Sequence, residues 1–212
     1  EGYIVTLQIP SFSPFMKYST NRELREELYT AYHTQCTHDN EFNNLGLVKT
    51  LVNLRMRRAQ LLGYPCVADF VLTRRMAENS ERVYHLINQL LNAYAPTAKK
   101  EMFELQALAK ELEGENFELM PWDLAYYAEK LKEKKFNFNE EELRPYFELG
   151  QVIQGVFGLA TLLYDITFKE NKEIPVYHPD VKAYEVHDKN GDFLAILYAD
   201  FHPRAGKRSG AW

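Results

Sequence analysis

The chain has 212 residues and a formal net charge of -5, with 46% apolar, 26% charged and 14% aromatic residues. This is the composition of a soluble, folded chain, long enough for one large or two small domains around a sizeable core. The negative charge and lack of a basic stripe argue against broad nucleic-acid binding, and no uninterrupted apolar run approaches the ~18 residues needed to span a bilayer.

Tyr3 to Ile9 is rich in β-favouring residues and predicts a short strand, closed by Pro10 and followed by a turn at Ser11-Phe12-Ser13-Pro14. Thr20 or Asn21 can cap a helix that runs to about Thr37, with Leu24, Leu28 and Tyr32 on one face and Glu23, Glu26 and Glu27 towards the N-terminal end that the helix dipole favours. Asp39-Asn40 predicts a break. The next helix aligns Leu47, Leu51, Leu54, Arg58 and Leu61, and Gly63-Tyr64-Pro65 ends it. A short helix through Phe70 and Leu72 follows. Asn79 or Ser80 then caps the longest helix, which reaches about Glu113 with Val83, Leu86, Ile87, Leu90, Leu91 and Tyr94 in its apolar stripe. Pro96 should kink or divide it, because proline removes a donor and crowds the preceding turn.

Pro121-Trp122-Asp123 opens a helix carrying Leu124, Tyr126, Tyr127 and Leu131, and Lys132-Glu133-Lys134-Lys135 reads as its solvated end. Asn139 caps a brief element across Glu140 to Leu143. A strongly apolar helix spans about Gly150 to Tyr164, where Gly155 and Gly158 would admit a close helix neighbour. No strand precedes those glycines, so they do not form a dinucleotide loop. Lys182 to His187 and Phe193 to Tyr198 read as two strands joined by a turn at Asn190-Gly191. A lone hairpin is marginal, so its further strands or covering helix are expected beyond Trp212. The predicted fold is mostly α-helical with a small β-hairpin or sheet near the C-terminus, an α+β chain divided into a helical region 1–170 and a hairpin-and-loop region 171–212.

Local chemistry is sparse. Cys36 and Cys66 match no metal or redox spacing and are expected to be free thiols. His33 and His38 suit surface or cap roles, and His85 stands alone. His178, His187 and His202 surround the hairpin and could face one cleft, but H-E-x-x-H is absent and no metal ligand is assigned. Ser209 lies in Arg208-Ser209-Gly210, which is no nucleophile elbow, and no catalytic residue is assigned. The basic clusters Arg55-Met56-Arg57-Arg58 and Arg74-Arg75 read as solvated helix faces.

Three segments rise above this background. Trp122-Asp123 combines a capping acid with Tyr126 and Tyr127 one turn later. Pro175-Val176-Tyr177-His178-Pro179-Asp180 is a rigid polar-aromatic connection. Phe201 to Arg208 places cations just after Asp200, where they could hold a peptide carboxylate or pair with Asp200 itself. His202, Arg204, Lys207 and Arg208 are therefore the candidate substrate-binding residues. The missing initiator Met and the ending on Gly206-Lys207-Arg208-Ser209-Gly210-Ala211-Trp212 create the expectation of a piece of a longer polypeptide, since termini are ordinarily loose and polar.

Ordered motifs along the chain carry a family resemblance. They are Thr6-Leu7-Gln8-Ile9-Pro10, Leu62-Gly63-Tyr64, Trp122-Asp123 with Tyr126-Tyr127-Ala128-Glu129-Lys130, and Leu143-Arg144-Pro145-Tyr146-Phe147. Gly155-Val156-Phe157, Leu163-Tyr164, Val176-Tyr177-His178-Pro179-Asp180-Val181, Gly206-Lys207-Arg208 and Gly210-Ala211-Trp212 complete the set. With these the chain resembles the M3 zinc peptidases, the thimet-oligopeptidase-like family, and is closest to the bacterial peptidyl-dipeptidase (dipeptidyl carboxypeptidase) branch. His202-Pro203 departs from the aromatic and small or basic residues usual there.

The resemblance implies a longer, mostly helical enzyme with a deep channel. Residues 1–170 would form channel wall, and 171–212 would lead towards a zinc-motif helix downstream. Zinc would polarise the scissile carbonyl and activate water, with the motif Glu as general base. No zinc ligand falls within these 212 residues, so the cofactor is zinc in the longer parent and none in this piece. The implied parent activity is removal of C-terminal dipeptides, with this piece inactive alone. A general endo-oligopeptidase and a noncatalytic helical peptide-binding or interaction module are the alternatives. Implied partners are short peptides and the remaining C-terminal part of the same polypeptide, with no nucleic acid and no membrane. The expected location is cytoplasmic, or periplasmic or exported if a signal peptide was trimmed.

Overall fold

The computed structural model describes residues 2–207. The chain divides into two compact units, Glu1–Phe136 and Asn137–Trp212.

The first unit is helical: α1 (Ile9–Tyr18), α2 (Arg22–His33), α3 (Leu45–Leu61), α4 (Val67–Leu72), α5 (Ser80–Glu113) and, after a 3₁₀ turn at Pro121–Asp123, α6 (Leu124–Phe136). Side-chain caps set two of the starts. Asn21 Oδ1 accepts the Leu24 N–H at 3.0 Å, and Asn79 Oδ1 accepts the Arg82 N–H at 2.9 Å. At the other end of α3, Gly63 takes φ 84°, the left-handed geometry that closes a helix.

The strand expected over Tyr3–Ile9 does not form. Residues 2–8 are irregular and α1 begins at Ile9. Pro10 stands in the first turn of the helix, where the missing N–H would have no helical partner anyway. The Gln8 carbonyl accepts the N–H groups of Ser11 and Phe12 at 2.9 and 2.8 Å, and the Ser11 hydroxyl accepts the Thr6 N–H at 2.9 Å. Proline punctuation thus starts a helix here rather than ending a strand. α2 stops at His33, short of Thr37, because Cys36 adopts a left-handed φ of 59°. α5 continues through Pro96 without dividing. The Asn92 carbonyl loses its donor there, but this stretch is exposed, so water can serve that carbonyl, and strong helix formers flank it.

The core of this unit is Ala109, Tyr126 and Tyr127, packed with Leu105, Phe117 and Leu119. The Tyr126 and Tyr127 rings meet edge to face at 5.1 Å, and Phe117 approaches Tyr127 at 5.6 Å. The lysine run of α6 is more than a solvated end. Lys134 pairs with Glu111 at 2.7 Å and Lys135 pairs with Glu104, fastening α6 along α5. Cys36 and Cys66 are free thiols.

The second unit begins with a 3₁₀ turn at Glu140–Tyr146, capped by Asn139, and α7 (Leu149–Tyr164), capped by Glu148. Then come β1 (Thr167–Glu170), β2 (Lys182–His187) and β3 (Phe193–Ala199), an antiparallel sheet in the order β1-β2-β3. Thr167 pairs with His187 and Glu170 with Tyr184, while Lys182 pairs with Ala199 across the hairpin. The hairpin's first companions therefore lie inside the chain, correcting the expectation that they all follow Trp212. β1 supplies the third strand. α7 supplies cover, with Phe157 stacked on Phe168 at 4.1 Å and set edge-on to Tyr184 at 5.0 Å. In the hairpin turn Gly191 takes φ 86°, and the Asp188 carboxylate accepts the N–H groups of Asn190 and Asp192, both at 2.8 Å. A Cβ at Gly155 or Gly158 would meet open space, so the close helix neighbour anticipated there is not among the described residues.

No single helix among the described residues is long and apolar enough to cross a bilayer; the Glu140–Tyr146 turn and α7 reach that apolarity only together, bent by 70°.

Candidate functional site

Two carboxylate hubs stand out, one in each unit. In the first unit Asp123 is fully buried and Arg25 is 1% exposed. Arg22 Nη2 donates to Asp123 Oδ2 at 2.7 Å and its Nε donates to both carboxylate oxygens at 3.2 and 3.1 Å. Arg25 Nη2 donates to Oδ1 at 2.8 Å, and the Met120 N–H donates to Oδ2 at 3.0 Å. The guanidinium groups lie over Phe117 and Tyr126, at 4.4 and 4.3 Å from the ring centres. Burial pushes the Asp123 carboxyl up, but the hydrogen bonds from Arg22, Arg25 and the Met120 N–H outweigh it and hold the group below the usual carboxylate range. The remaining Arg donors are also engaged in part, Arg25 Nη1 by the Ser19 carbonyl at 2.7 Å and Arg22 Nη2 by the Glu118 carbonyl at 3.0 Å. This hub ties the start of α2 to the turn before α6. Its carboxylate is spent on the fold, leaving it poorly suited to proton transfer.

The second hub is Asp200, the residue after β3. Arg204 grips it with two parallel bonds, Nη1 to Oδ1 at 2.7 Å and Nη2 to Oδ2 at 2.8 Å. Tyr177 donates its hydroxyl to Oδ2 at 3.0 Å. Lys207 Nζ lies 3.0 Å from Oδ1 and donates to the carbonyls of Asp200 and His202 at 2.6 and 2.9 Å. The Arg204 hydrogen bonds hold the Asp200 carboxyl far below its usual range, against a smaller desolvation effect and with help from Lys207 and Tyr177. The phenol of Tyr177, donating to that carboxylate, is pushed up. Gly206, at φ 76°, lets the loop turn back so that Lys207 reaches this cluster.

The structure thus brings two of the four sequence candidates together. Arg204 and Lys207 pair with Asp200, one of the two alternatives the sequence left open. His202 is exposed and enters the cluster through its carbonyl. Arg208 lies outside the described residues, as does the Gly210-Ala211-Trp212 segment. Tyr177 belongs to a segment the sequence singled out, but its bond to Asp200, 23 residues away, has no local signal. Arg22 and Arg25 were missed. Their spacing of three on a helix does place them on one side, which was the available clue.

The hairpin histidines have separate partners. His187 Nε2 lies 3.1 Å from Glu185 Oε2 and its Nδ1 lies 3.1 Å from the Gly191 carbonyl. His178 Nδ1 accepts the Asp180 N–H at 3.2 Å. Among the described residues no group of three or more His, Cys, Asp or Glu side chains could hold a metal ion. Among the described residues the donor sets present do not fit a zinc site.

Comparison with known proteins gives the context for this geometry. The profile described as Peptidase family M3 matches residues 15–212. The chain is 39% identical over 216 residues to Oligopeptidase A of Escherichia coli, an alignment covering 100% of this chain and 32% of that protein. It is 35% identical over 211 residues to Dipeptidyl carboxypeptidase of the same organism, covering 99% of the chain and 31% of the relative. It is 36% identical over 213 residues to the Probable cytosolic oligopeptidase A of Arabidopsis thaliana, covering 99% of the chain and 30% of the relative. The chain spans about a third of the length of these curated relatives. With the profile matched across nearly all of its residues, the chain belongs to peptidase family M3.

Proposed function

We propose that this chain is part of a zinc metallopeptidase that removes dipeptides from the C-termini of short peptides. The observation that carries the reading is the M3 match across residues 15–212. In this reading the zinc ligands and general base lie elsewhere in a longer polypeptide, of which the chain spans about a third in its curated relatives. In this reading residues 1–212 are inactive alone and contribute channel wall and the sheet flanking the active site. Arg204 and Lys207 brace the loop after β3 against Asp200, and His202 and Arg208 are kept as candidate peptide-binding residues. A channel of this kind excludes folded proteins and admits short peptides. The partners are those peptides and the remaining part of the same polypeptide.

One observation favours a second reading, internal cleavage. Of the two Escherichia coli relatives, the protein named Oligopeptidase A is 39% identical and the protein named Dipeptidyl carboxypeptidase is 35% identical. Product lengths separate the two. The natural polypeptide carrying residues 1–212 is incubated with a short peptide of defined sequence, and the products are weighed by mass spectrometry. Stepwise loss of C-terminal dipeptides, abolished by a zinc chelator, is the expected result. Internal fragments without dipeptide ladders would replace it with the oligopeptidase reading. Chelator-insensitive cleavage, or none, would sink both.

A further inference from the structure

The tip of the β2–β3 hairpin is held by side chains as well as by strand pairing. His187, the last residue of β2, has an acceptor at each ring nitrogen. Nδ1 lies 3.1 Å from the Gly191 carbonyl oxygen and Nε2 lies 3.1 Å from Glu185 Oε2. A neutral imidazole carries one N–H and presents a lone pair at its other nitrogen. Either neutral tautomer would therefore set that lone pair against an oxygen. Only the imidazolium, with two N–H groups, donates to both acceptors.

The two acceptors belong to different parts of the sheet. Gly191 is in the turn, where the Asp188 carboxylate accepts the N–H groups of Asn190 and Asp192, both at 2.8 Å. Glu185 is in β2, and its other oxygen accepts from Asn171 Nδ2 at 2.7 Å. Asn171 follows β1 and donates its backbone N–H to the Ala183 carbonyl at 2.9 Å. A line of contacts thus runs from the turn through His187 and Glu185 to the end of β1. The ladder beneath it is irregular. Val186 stands opposite Ala195 but His187 opposite Phe193, a bulge that disrupts the ladder locally. Side-chain bonds count for more at such a point.

We propose that His187 is a pH-operated latch on this hairpin: as the imidazolium it ties the turn to Glu185, and on losing a proton it must release one of the two acceptors. The surrounding groups leave the switching to the ring. From β2 it meets Glu185, whose carboxyl is held below the usual carboxylate range by Asn171 and then by His187. From the turn it has Asp188, held low by the Asp192 N–H, with Lys189 and Asp192 beside it. β3 offers the Phe193 ring, edge-on at 6.1 Å, and β1 offers Thr167, with Lys169 opposite Glu185. α7 packs through Phe157 on Phe168 and Tyr184, on the alternate face of the strands. Histidine is the only side-chain type in residues 182–199 that ordinarily changes charge between about pH 5 and 8, and His187 is the one histidine there. The latch does not depend on the peptidase reading, so an inactive protein would leave it standing.

Amide hydrogen exchange on the full natural polypeptide, read by mass spectrometry at about pH 5.5 and pH 8 with times scaled for the intrinsic rate, tests it. Protection over residues 188–193 should fall about tenfold on raising the pH, the size of one hydrogen bond to a charged group. Residues 167–170 should not change. In His187→Gln, which carries no charge at either pH, protection of the turn should be the same at both. Equal protection at the two pH values in the wild type would overturn the proposal. An undiminished fall in His187→Gln would do the same, since it assigns the effect to another group. Histidine labelled with ¹⁵N gives a second reading that needs no variant, with His187 assigned by its contact to the Phe193 ring. Both its ring N–H protons should exchange slowly with water at the lower pH, and one nitrogen should lose its proton at the higher. Free exchange of either proton at the lower pH would show that the ring does not hold both acceptors and would end the proposal.

Discussion

Asp123 and Asp200 are held by nearly the same chemistry and serve different ends. Each carboxylate takes two cationic side chains and one further donor, and each is held below the ordinary carboxylate range. The difference is in reach. Asp123 collects Arg22 and Arg25 from 101 and 98 residues away and is fully buried, so its bonds close the tertiary fold of the first unit. Asp200 collects Arg204 and Lys207 from four and seven residues away, so its bonds close a loop. Sequence separation and burial, not ion-pair count, decide whether such a hub stabilises a domain or shapes a segment.

The sharpest way to break that comparison is Asp123→Ala. It leaves Arg25 buried without its partner carboxylate, and breaking a buried pair from one side costs about 3–5 kcal/mol. Denaturant unfolding of the first unit should show a loss of that size, whereas a loss within about 0.5 kcal/mol would place Asp123 in the class of surface pairs. Acid unfolding sharpens the point. The folded pKa of Asp123 lies below its unfolded value, so its contribution is present above about pH 4 and disappears as pH falls through the folded pKa. Asp123→Asn should flatten the acid limb of the stability curve. An acid limb of unchanged slope would remove Asp123 from the account.

Phe157→Ala is the second largest. Phe157 is the contact between α7 and both β1 and β2, through Phe168 and Tyr184. Because it is half-buried, the loss should be about 2 kcal/mol, below the full cost of a core phenylalanine. Local hydrogen exchange in residues 167–187 should quicken, and unchanged exchange there would show that α7 does not support the sheet.

Tyr127→Phe follows. Burial, reinforced by the bond its hydroxyl donates to Glu113 at 3.1 Å, pushes the Tyr127 phenol up. A folded pKa above the unfolded one gives stability that is complete below about pH 10 and is lost as pH rises. The variant should lose about 1 kcal/mol at neutral pH, the net worth of one hydrogen bond, and become less sensitive to alkali. An identical alkaline limb in variant and wild type would refute the buried-phenol explanation.

The helices were legible because their signals are local. Asn21 and Asn79 cap where a short polar side chain before an apolar period should cap, and the 3.6-residue stripes carry both helices from there, while Asn139 caps the brief element expected after it, a 3₁₀ turn. The errors arose where one residue type has two meanings. Pro10 both ends strands and starts helices, and only the Gln8 and Ser11 hydrogen bonds settle which applies. β1 escaped because Thr167-Phe168-Lys169-Glu170 is too short for alternation to register. Its pairing with β2 makes it a strand. At the candidate site the sequence could place cations after Asp200, since four and seven residues is loop distance. It could not join Arg22 and Arg25 to Asp123, because pairs about 100 residues apart leave no mark in either segment. Catalysis was not legible from local chemistry at all, and only the ordered motifs connected the chain to a peptidase family.

The smallest effect tests the other half of the comparison. Tyr177→Phe keeps the ring near Tyr198 and under Arg204 while removing the single hydroxyl bond to Asp200. Tyr177 is exposed, and Arg204 and Lys207 retain the carboxylate, so the unfolding midpoint should match that of wild type. The change should be confined to the loop, as a severalfold rise in amide exchange over residues 200–207 with the first unit unaffected. If the hub instead works as Asp123 does, the midpoint falls with the loop and the division between a domain lock and a loop clamp fails. If neither exchange nor midpoint moves, Arg204 alone holds Asp200 and the hydroxyl is a passenger.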